Sequence, residues 1–382
     1  MIKLHIALVT ETYPPEINGV AMTLSRWVDG LIALGHSLEI WRPEPIEQSP
    51  PRMNGCITEH RVRGFAVPQY PDLRFGQPAG RKLAARWRMR RPDVLYVATE
   101  GPLGWSALRA AQQVRIPVVS GFHTRFDCYS PHYHLAPFLP LVRSYLRRFH
   151  RKTHLTLAPT AQLRKTLEDD GFGNIAVIPR GVDTRLFDPQ RRNPRLRRQW
   201  GLADDALAVL YVGRLAREKN LDEVLDAFRA IQEDHLTARL ILVGDGPLRD
   251  TLAHDNPDII CTGMQRDTAL AEHYASADLF LFPSRTETFG NVTLEAMASG
   301  LPVVAYDDAA AKLHIRHRSS GMLAPETGIS YFTDMACELA GDVQLRRRLG
   351  NAAREHAGKI DWEHVVLDLE ALLIRCAHSQ PH

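Results

Sequence analysis

Asp278-Leu-Phe-Leu-Phe-Pro283-Ser-Arg-Thr-Glu287-Thr-Phe-Gly290-Asn-Val-Thr-Leu-Glu295-Ala-Met-Ala-Ser-Gly300-Leu-Pro-Val-Val-Ala-Tyr306 is the stretch that decides the fold. The apolar run 279–282 reads as a buried strand, and Leu294-Glu-Ala-Met-Ala reads as a helix. Gly300 suits the position just past a helix, and Pro302 cannot continue one. The run Val303 to Tyr306 is a second strand, so the whole makes a βαβ unit. Its turn would present backbone N–H groups at a helix N-terminus, which suits phosphate. Two carboxylates, Glu287 and Glu295, bracket seven residues. A carboxylate in the turn repels phosphate, so Glu287 is read as facing sugar hydroxyls, and Glu295 as accepting two hydroxyls of one ribose. Spacing alone equally allows a surface helix with two solvated glutamates.

Working outward, short β-rich runs alternate with helical periods along the whole chain. Strands are expected at Ile6–Val9, Leu38–Trp41, Val94–Val97, Val118–Ser120 and Leu155–Ala158, then at Leu207–Val212, Leu240–Val243, Leu279–Phe282 and Val303–Tyr306. Between the two groups, Pro179-Arg-Gly-Val-Asp183 and a basic, Pro-containing stretch to about Arg198 read as the domain connection. The expectation is an α/β protein of two tandem doubly wound domains, 1–185 and 186–382, with ligand in the cleft at the carboxyl ends of the sheets. The 382 residues, 45% apolar, suffice for two cores.

Net charge is +10 over residues 1–185 and −7 over the rest, so the halves are expected to meet different partners. Cys56, Cys128, Cys261, Cys337 and Cys376 are dispersed, without a CxxC pair, and read as reduced cytosolic thiols. The N-terminal apolar run is broken by His5 and lacks a small-x-small cleavage site, so it reads as a first strand. No run approaches the roughly 18 apolar residues of a spanning helix. The protein is expected to be soluble or peripheral.

Several other segments carry chemistry. The first strand leads through a two-proline loop to Asn18-Gly19 ahead of a helix, where glycine permits close approach of a ligand. Ser120-Gly-Phe-His123-Thr-Arg-Phe-Asp127-Cys-Tyr129-Ser-Pro-His132-Tyr-His134 offers several possible metal ligands, but no pair has structural-zinc spacing. Val209-Leu-Tyr-Val-Gly213-Arg214-Leu-Ala-Arg-Glu-Lys219-Asn220 places two cations five apart between a strand and a helix. That is a diphosphate clamp able to offset leaving-group charge without a metal, or else a solvated face. Leu240-Ile-Leu-Val-Gly244-Asp-Gly246 fails the dinucleotide fingerprint because Arg249 replaces the third glycine. Thr262-Gly263-Met264 follows the next strand.

Two segments are basic. The run 139–152 puts Leu139, Val142, Leu146 and Phe149 on one stripe, flanked by Arg143, Arg147, Arg148, Arg151 and Lys152. The other is Arg81 to Arg91. Packing on the first sheet accounts for the stripe, while the cations suit water or an anionic membrane surface. Nucleic acid would also suit, but no helix-turn-helix, RNP or zinc-finger pattern supports it.

The order of these motifs resembles the retaining, nucleotide-sugar-dependent glycosyltransferases of family 4 (GT4), which have the GT-B fold. The match covers nearly the whole chain. It runs through E-x7-E and on into Glu-Ala-Met-Ala-Ser-Gly-Leu-Pro-Val-Val-Ala, through Gly-Arg-x4-Lys-Asn and through Gly-Phe-His-Thr-x4-Tyr, and is closest in flavour to the bacterial branch that glycosylates membrane lipids. The resemblance implies His123 and Glu287 as catalytic contacts to the donor sugar. It implies a donor set of Gly19, Arg214, Lys219, Met264, Phe289, Gly290, Asn291 and Glu295, with Tyr129 and Asp127 on the acceptor side. GT4 enzymes usually carry Gly-Gly-Val where this chain has Asn18-Gly19-Val20, a departure that bears on the loop's shape.

The implied reaction moves a hexose from a UDP- or GDP-sugar to a hydroxyl of a lipid or lipid-linked acceptor, with retention and without metal or other cofactor. The implied setting is the inner face of the cytoplasmic membrane. A soluble or polysaccharide acceptor is the alternative, and a GT-B sugar-nucleotide epimerase a more remote one. In that fold the last helix, about 361–376 here, crosses back onto the first domain.

Overall fold

The computed structural model describes residues 2–16, 18–45, 49–67, 70–123, 139–203, 206–285, 289–325 and 329–378. The contacts separate two units. One holds the described residues through Arg180 together with the helix Trp362–His378; the other holds Gly181–Asp361.

The strands of the first unit are β1 (His5–Val9), β2 (Ser37–Pro43), β3 (Met53–Asn54), β4 (Ile57–Val62), β5 (Gly64–Val67), β6 (Tyr70–Gly76), β7 (Val94–Val97), β8 (Val118–Gly121), β9 (Leu155–Ala158) and β10 (Ile175–Val177). Eight of them form a sheet in the order β10-β9-β8-β7-β1-β2-β4-β3, and β5 pairs with β6 as a separate hairpin. All pairings in the large sheet are parallel except β3 with β4. The helices Gly19–Ala33 and Trp362–His378 cover one face, where Trp27, Val28 and Leu31 meet Val365, Val366, Leu369, Leu372 and Leu373. The helices Gly80–Met89 and Pro102–Gln113 cover the other.

Apolar burial docks the last helix. Five buried aliphatic side chains contribute roughly 1.5–3 kcal/mol each, well above what one polar contact adds. The His36 contact with Glu370 at 2.8 Å adds one polar tie to the helix. Leu4 N–H donates to His36 Nδ1, so Nε2 carries the proton that Glu370 accepts.

The second unit contains β11 (Ala208–Val212), β12 (Arg239–Val243), β13 (Ile260–Gly263), β14 (Leu279–Phe282), β15 (Val303–Tyr306) and β16 (Met322–Ala324), all parallel in the order β13-β12-β11-β14-β15-β16. β11, β14 and β15 are buried along their whole length, as central strands covered on both faces must be. Strand order reverses between β1 and β7 in the first unit and between β11 and β14 in the second. At each reversal the loops leave the carboxyl ends in opposite directions and open a crevice.

The nine expected strands are all present, with ends within two residues. The basic stretch to Arg198, read as part of a connection, instead folds into the second unit. Asn193 caps a helix, Pro194–Gln199, by accepting from the Arg195 and Leu196 amides. Arg197, only 2% exposed, donates to the Ser276 carbonyl at 2.8 Å, the Ala206 carbonyl at 2.6 Å and Asp278 at 3.0 Å. A buried guanidinium with that many acceptors is a core element, and its composition alone disguised it as a linker.

Candidate active site

The second unit gathers the phosphate-binding candidates at its strand-order reversal. The loop after β11 carries Arg214 and Lys219, and the neighbouring strand β14 leads into Ser284. Lys219 is 8% exposed and its Nζ donates to Ser284 Oγ at 3.5 Å. Arg214 is a third exposed and lies 3.7 Å from the buried carboxylate of Glu218. Asn220 follows at φ 53°, a left-handed conformation that Asn and Gly adopt most readily, and its side-chain amide donates to the Pro283 carbonyl at 2.8 Å. That bond ties the cation-bearing loop to the end of β14. The two candidate cations thus stand beside the stem of the turn expected to cradle phosphate.

Glu295 lies in the helix Asn291–Ala298, 7% exposed, and accepts a hydrogen bond from Tyr274 Oη at 2.9 Å. Burial pushes its carboxyl up to about 7, with the Tyr274 bond pulling the other way. Gly290 caps this helix at φ 89°, a left-handed backbone that only glycine adopts without strain, and Asn291 is the first helical residue. The Phe289 side chain is buried in the unit's core against His314, so any ligand contact at this residue runs through its backbone. Met264 stands 45% exposed just past β13. Glu287 lies outside the described residues.

Two residues before Glu287, Arg285 makes a two-pronged bond to Glu223 at 2.6 and 3.2 Å, and its guanidinium stacks 3.9 Å from the Tyr306 ring centre. Tyr306 also donates to Glu223. Tyr274, Glu223 and Tyr306 were not legible as site residues, because each reaches the site from a distant segment without a local motif.

A raised carboxyl pKa has a stability consequence of fixed sign. Without nucleotide, Glu295 binds a proton more tightly in the folded chain than in the unfolded one. Its contribution is present below the ordinary carboxyl pKa of 4.5 and is lost as pH rises through about 7. Urea unfolding of Glu295→Gln should therefore show a flatter pH dependence across that window than wild type, and a gain in stability at its alkaline end. Parallel curves for the two proteins would contradict the assignment.

In the first unit, His123 sits two residues beyond β8 at 7% exposure. Its Nε2 is 2.5 Å from Tyr96 Oη and its Nδ1 is 3.5 Å from Arg180 Nη2. The Trp27 ring lies 5.8 Å away. Burial holds the imidazole down at about 3, and the Arg180 charge and His150 act in the same direction. A Cβ placed on Gly121 would come within 2.1 Å of Tyr96 Oη and 2.3 Å of His123 Nε2, so this pair needs glycine at that position.

Asn18 accepts from the Val20 and Ala21 amides at 3.1 and 2.9 Å, capping the helix that begins at Gly19. The departure from Gly-Gly thus has a physical effect: a side chain occupies two first-turn amides that a glycine would leave open. Gly19 is exposed, and its carbonyl accepts from Arg180 Nη1 at 3.2 Å. Asp127, Cys128, Tyr129, His132 and His134 lie outside the described residues. Among the described residues no group of three or more His, Cys, Asp or Glu side chains could hold a metal, and no helix is long and apolar enough to cross a membrane.

Of the basic run 139–152, Leu146 and Phe149 are buried and Val142 packs partly against the first unit's core. Arg148, Arg151 and Lys152 are exposed.

Residues 17–186 match the profile of Glycosyltransferase Family 4, and residues 206–342 match that of Glycosyl transferases group 1. A GDP-mannose-dependent alpha-mannosyltransferase of Mycobacterium tuberculosis is 32% identical over 97% of this chain and 96% of its own length. An alpha-monoglucosyldiacylglycerol synthase of Acholeplasma laidlawii is 27% identical over 80% of this chain and 81% of its own. Among solved structures, a sucrose-phosphate synthase of Thermosynechococcus elongatus superposes with a TM-score of 0.79 at 19% identity, covering 98% of this chain and 99% of that one, which speaks to fold alone. Two doubly wound halves in tandem are the GT-B architecture. With both halves matched and a relative similar end to end, the chain belongs to glycosyltransferase family 4 and is a glycosyltransferase.

Proposed function

We propose that this enzyme transfers a hexose, with retention, from a nucleoside-diphosphate sugar to a hydroxyl of a membrane lipid or lipid-linked acceptor. GDP-mannose is the first donor to test, because the similar mycobacterial protein is named for it. A diacylglycerol-based lipid is the first acceptor class, because the Acholeplasma relative is named as a synthase of one. The observation that carries the reading is that Lys219 and Arg214 lie on the loop leaving β11, with Lys219 held on Ser284 at the end of β14, while the buried Glu295 sits on the helix that follows β14 in the same unit. That arrangement supplies cations for a diphosphate and a carboxylate for ribose hydroxyls.

In this reading the bond from the sugar's anomeric carbon to the β-phosphate oxygen breaks, and the bond to the acceptor oxygen forms on the same face. The acceptor proton passes to the departing phosphate. Lys219 and Arg214 offset the charge that builds on that phosphate, fixed in place before reaction. Glu295 holds the ribose, Met264 flanks the base, and Gly19 with the Phe289, Gly290 and Asn291 amides line the diphosphate. Glu287 and His123 contact the sugar, and Tyr129 and Asp127 face the acceptor. The two cations take the role a divalent metal would otherwise have, and the enzyme acts at the inner face of the cytoplasmic membrane as a peripheral protein.

Lipid extracts of a host expressing the chain, compared by mass spectrometry with a host expressing Glu287→Ala, test the reading. The expected result is a hexosyl-lipid series present with wild type and absent with the variant, at equal protein levels. In vitro, EDTA should leave the rate unchanged. No new glycolipid, or an activity lost to EDTA and restored by Mg²⁺ or Mn²⁺, overturns the lipid or the metal-independent part respectively.

A further inference from the structure

His123 has two ring nitrogens, and both are engaged. A guanidinium carries only N–H donors, so the contact between Arg180 Nη2 and Nδ1 at 3.5 Å requires a lone pair on Nδ1. The single proton of the neutral ring is then on Nε2, where Tyr96 Oη accepts it at 2.5 Å. Arg180 is 5% exposed, and its other arm is held by the Gly19 carbonyl at 3.2 Å. One guanidinium thereby bridges the Gly19 carbonyl, 161 residues away in sequence, and the His123 ring, 57 residues away.

We infer that Arg180 is a positioning residue for His123: anchored on Gly19, it holds the imidazole as the Nε2–H tautomer and leaves Nδ1 as the lone pair available to a substrate hydroxyl. This rests on the reading that His123 faces the donor sugar. The two contacts differ in strength, and the difference sets the direction of recognition. A sugar hydroxyl entering the site competes with the long guanidinium contact at Nδ1 more easily than with the short phenol contact at Nε2. His123 therefore accepts a hydrogen bond from the sugar and does not protonate the leaving group.

Charge agrees with geometry. Among the described residues, the titratable groups facing the ring are Arg180, Tyr96 and His150, the last paired with Glu100 at 3.0 Å. Burial is the largest influence keeping the ring neutral and Arg180 the second. Removing the guanidinium should raise the imidazole's pKa, so that the inactive cation appears at a higher pH.

Protein labelled with ¹⁵N-histidine, assigned by the signal lost in His123→Gln, reads the ring directly. The expected wild-type spectrum has a protonated Nε2 and an unprotonated Nδ1 that persist from about pH 8 down to about pH 5, through the ordinary imidazole range. Because burial alone still holds the ring down, Arg180→Met should raise the imidazole's titration only part of the way from about 3. The ring should exchange between its Nε2–H and Nδ1–H forms, and the acid limb of kcat should move in the same direction as the titration. Arg180→Lys should restore each in part.

A protonated Nδ1 in wild type, or a ring in Arg180→Met that keeps the single Nε2–H tautomer of wild type, overturns the proposal. Should Arg180→Met not fold, the wild-type tautomer and the Arg180→Lys profile still decide it. Full activity in His123→Gln would defeat the catalytic placement of this residue while leaving the tautomer result standing, so the two failures are distinguishable.

Discussion

Lys219→Ala is expected to lower kcat by about 10²–10³-fold, the range found when one preorganised charge-stabilising donor is removed. Lys219 should lose more than Arg214, and the surroundings say why. Lys219 is 8% exposed and its ammonium is held against Ser284 at 3.5 Å, so its field on a bound phosphate is little screened. Arg214 is a third exposed and shares its charge with Glu218 at 3.7 Å. The loss should fall on kcat more than on KM, because negative charge on the β-phosphate rises as the glycosyl bond breaks. Lys219→Arg should recover part of the rate, since charge returns in a different shape. Steady-state kinetics with saturating donor, beside a melting curve to exclude unfolding, is the measurement. A rate within twofold of wild type would remove Lys219 from the diphosphate.

The strands that could be read from composition are the interior ones. β1, β7, β11, β14 and β15 are short apolar runs because both faces of a parallel strand are covered. The strands that escaped are β3, β10 and β16, which lie at sheet edges, the separate β5–β6 hairpin and the polar β4, while the edge strand β13 showed only through the Thr262-Gly263-Met264 that marks its end. Every residue of β10 is only partly buried, and β13 buries just Gly263. In β4, Glu59 is buried but satisfied by the Arg52 amide at 2.8 Å and by Arg61 at 2.9 Å, so a charged residue sits where an apolar pattern would be sought. Edge and paired-charge strands lose the hydrophobic signal for physical reasons, and no closer reading of single residues would restore it.

The site divides along a similar line. Residues expected to touch a ligand announced themselves by local spacing: Arg214 and Lys219 after a strand, Glu295 after a glycine turn, His123 after Ser120-Gly121-Phe122. The residues that orient them did not. Tyr274 stands 21 positions from Glu295, Tyr96 27 from His123, and Glu223 62 from Arg285. In sequence Arg180 stands only as part of a domain connection. Such partners are chosen by the strand order that brings loops together, and a single sequence carries no trace of that pairing. Asn18 is the intermediate case. Its departure from Gly-Gly is visible in sequence, but its consequence, two amides occupied by one side chain, is set by the fold.

Replacing Arg148, Arg151 and Lys152 together by Glu is expected to weaken binding to anionic liposomes by at least about 100-fold. Each cation near an anionic surface contributes about 1 kcal/mol, so losing three costs about 3 kcal/mol, and the reversed charges add repulsion. These three side chains are exposed, whereas Leu146 and Phe149 behind them are buried in the first unit, so the substitutions should leave the fold intact. Arg147 is spared because it donates to the Asp170 carbonyl at 3.3 Å and its loss would disturb structure as well as charge.

Among the described residues no helix is long and apolar enough to cross a membrane, and the exposed Arg148, Arg151 and Lys152 are what make the association expected electrostatic. Wild-type binding should require anionic lipid and weaken as salt rises and the Debye length contracts to about 8 Å. Flotation against liposomes with and without anionic lipid, at low and physiological salt, separates the outcomes. A variant that floats like wild type, or wild type that binds neutral vesicles equally well, makes the basic face a solvated surface and removes the electrostatic support for a membrane-borne acceptor.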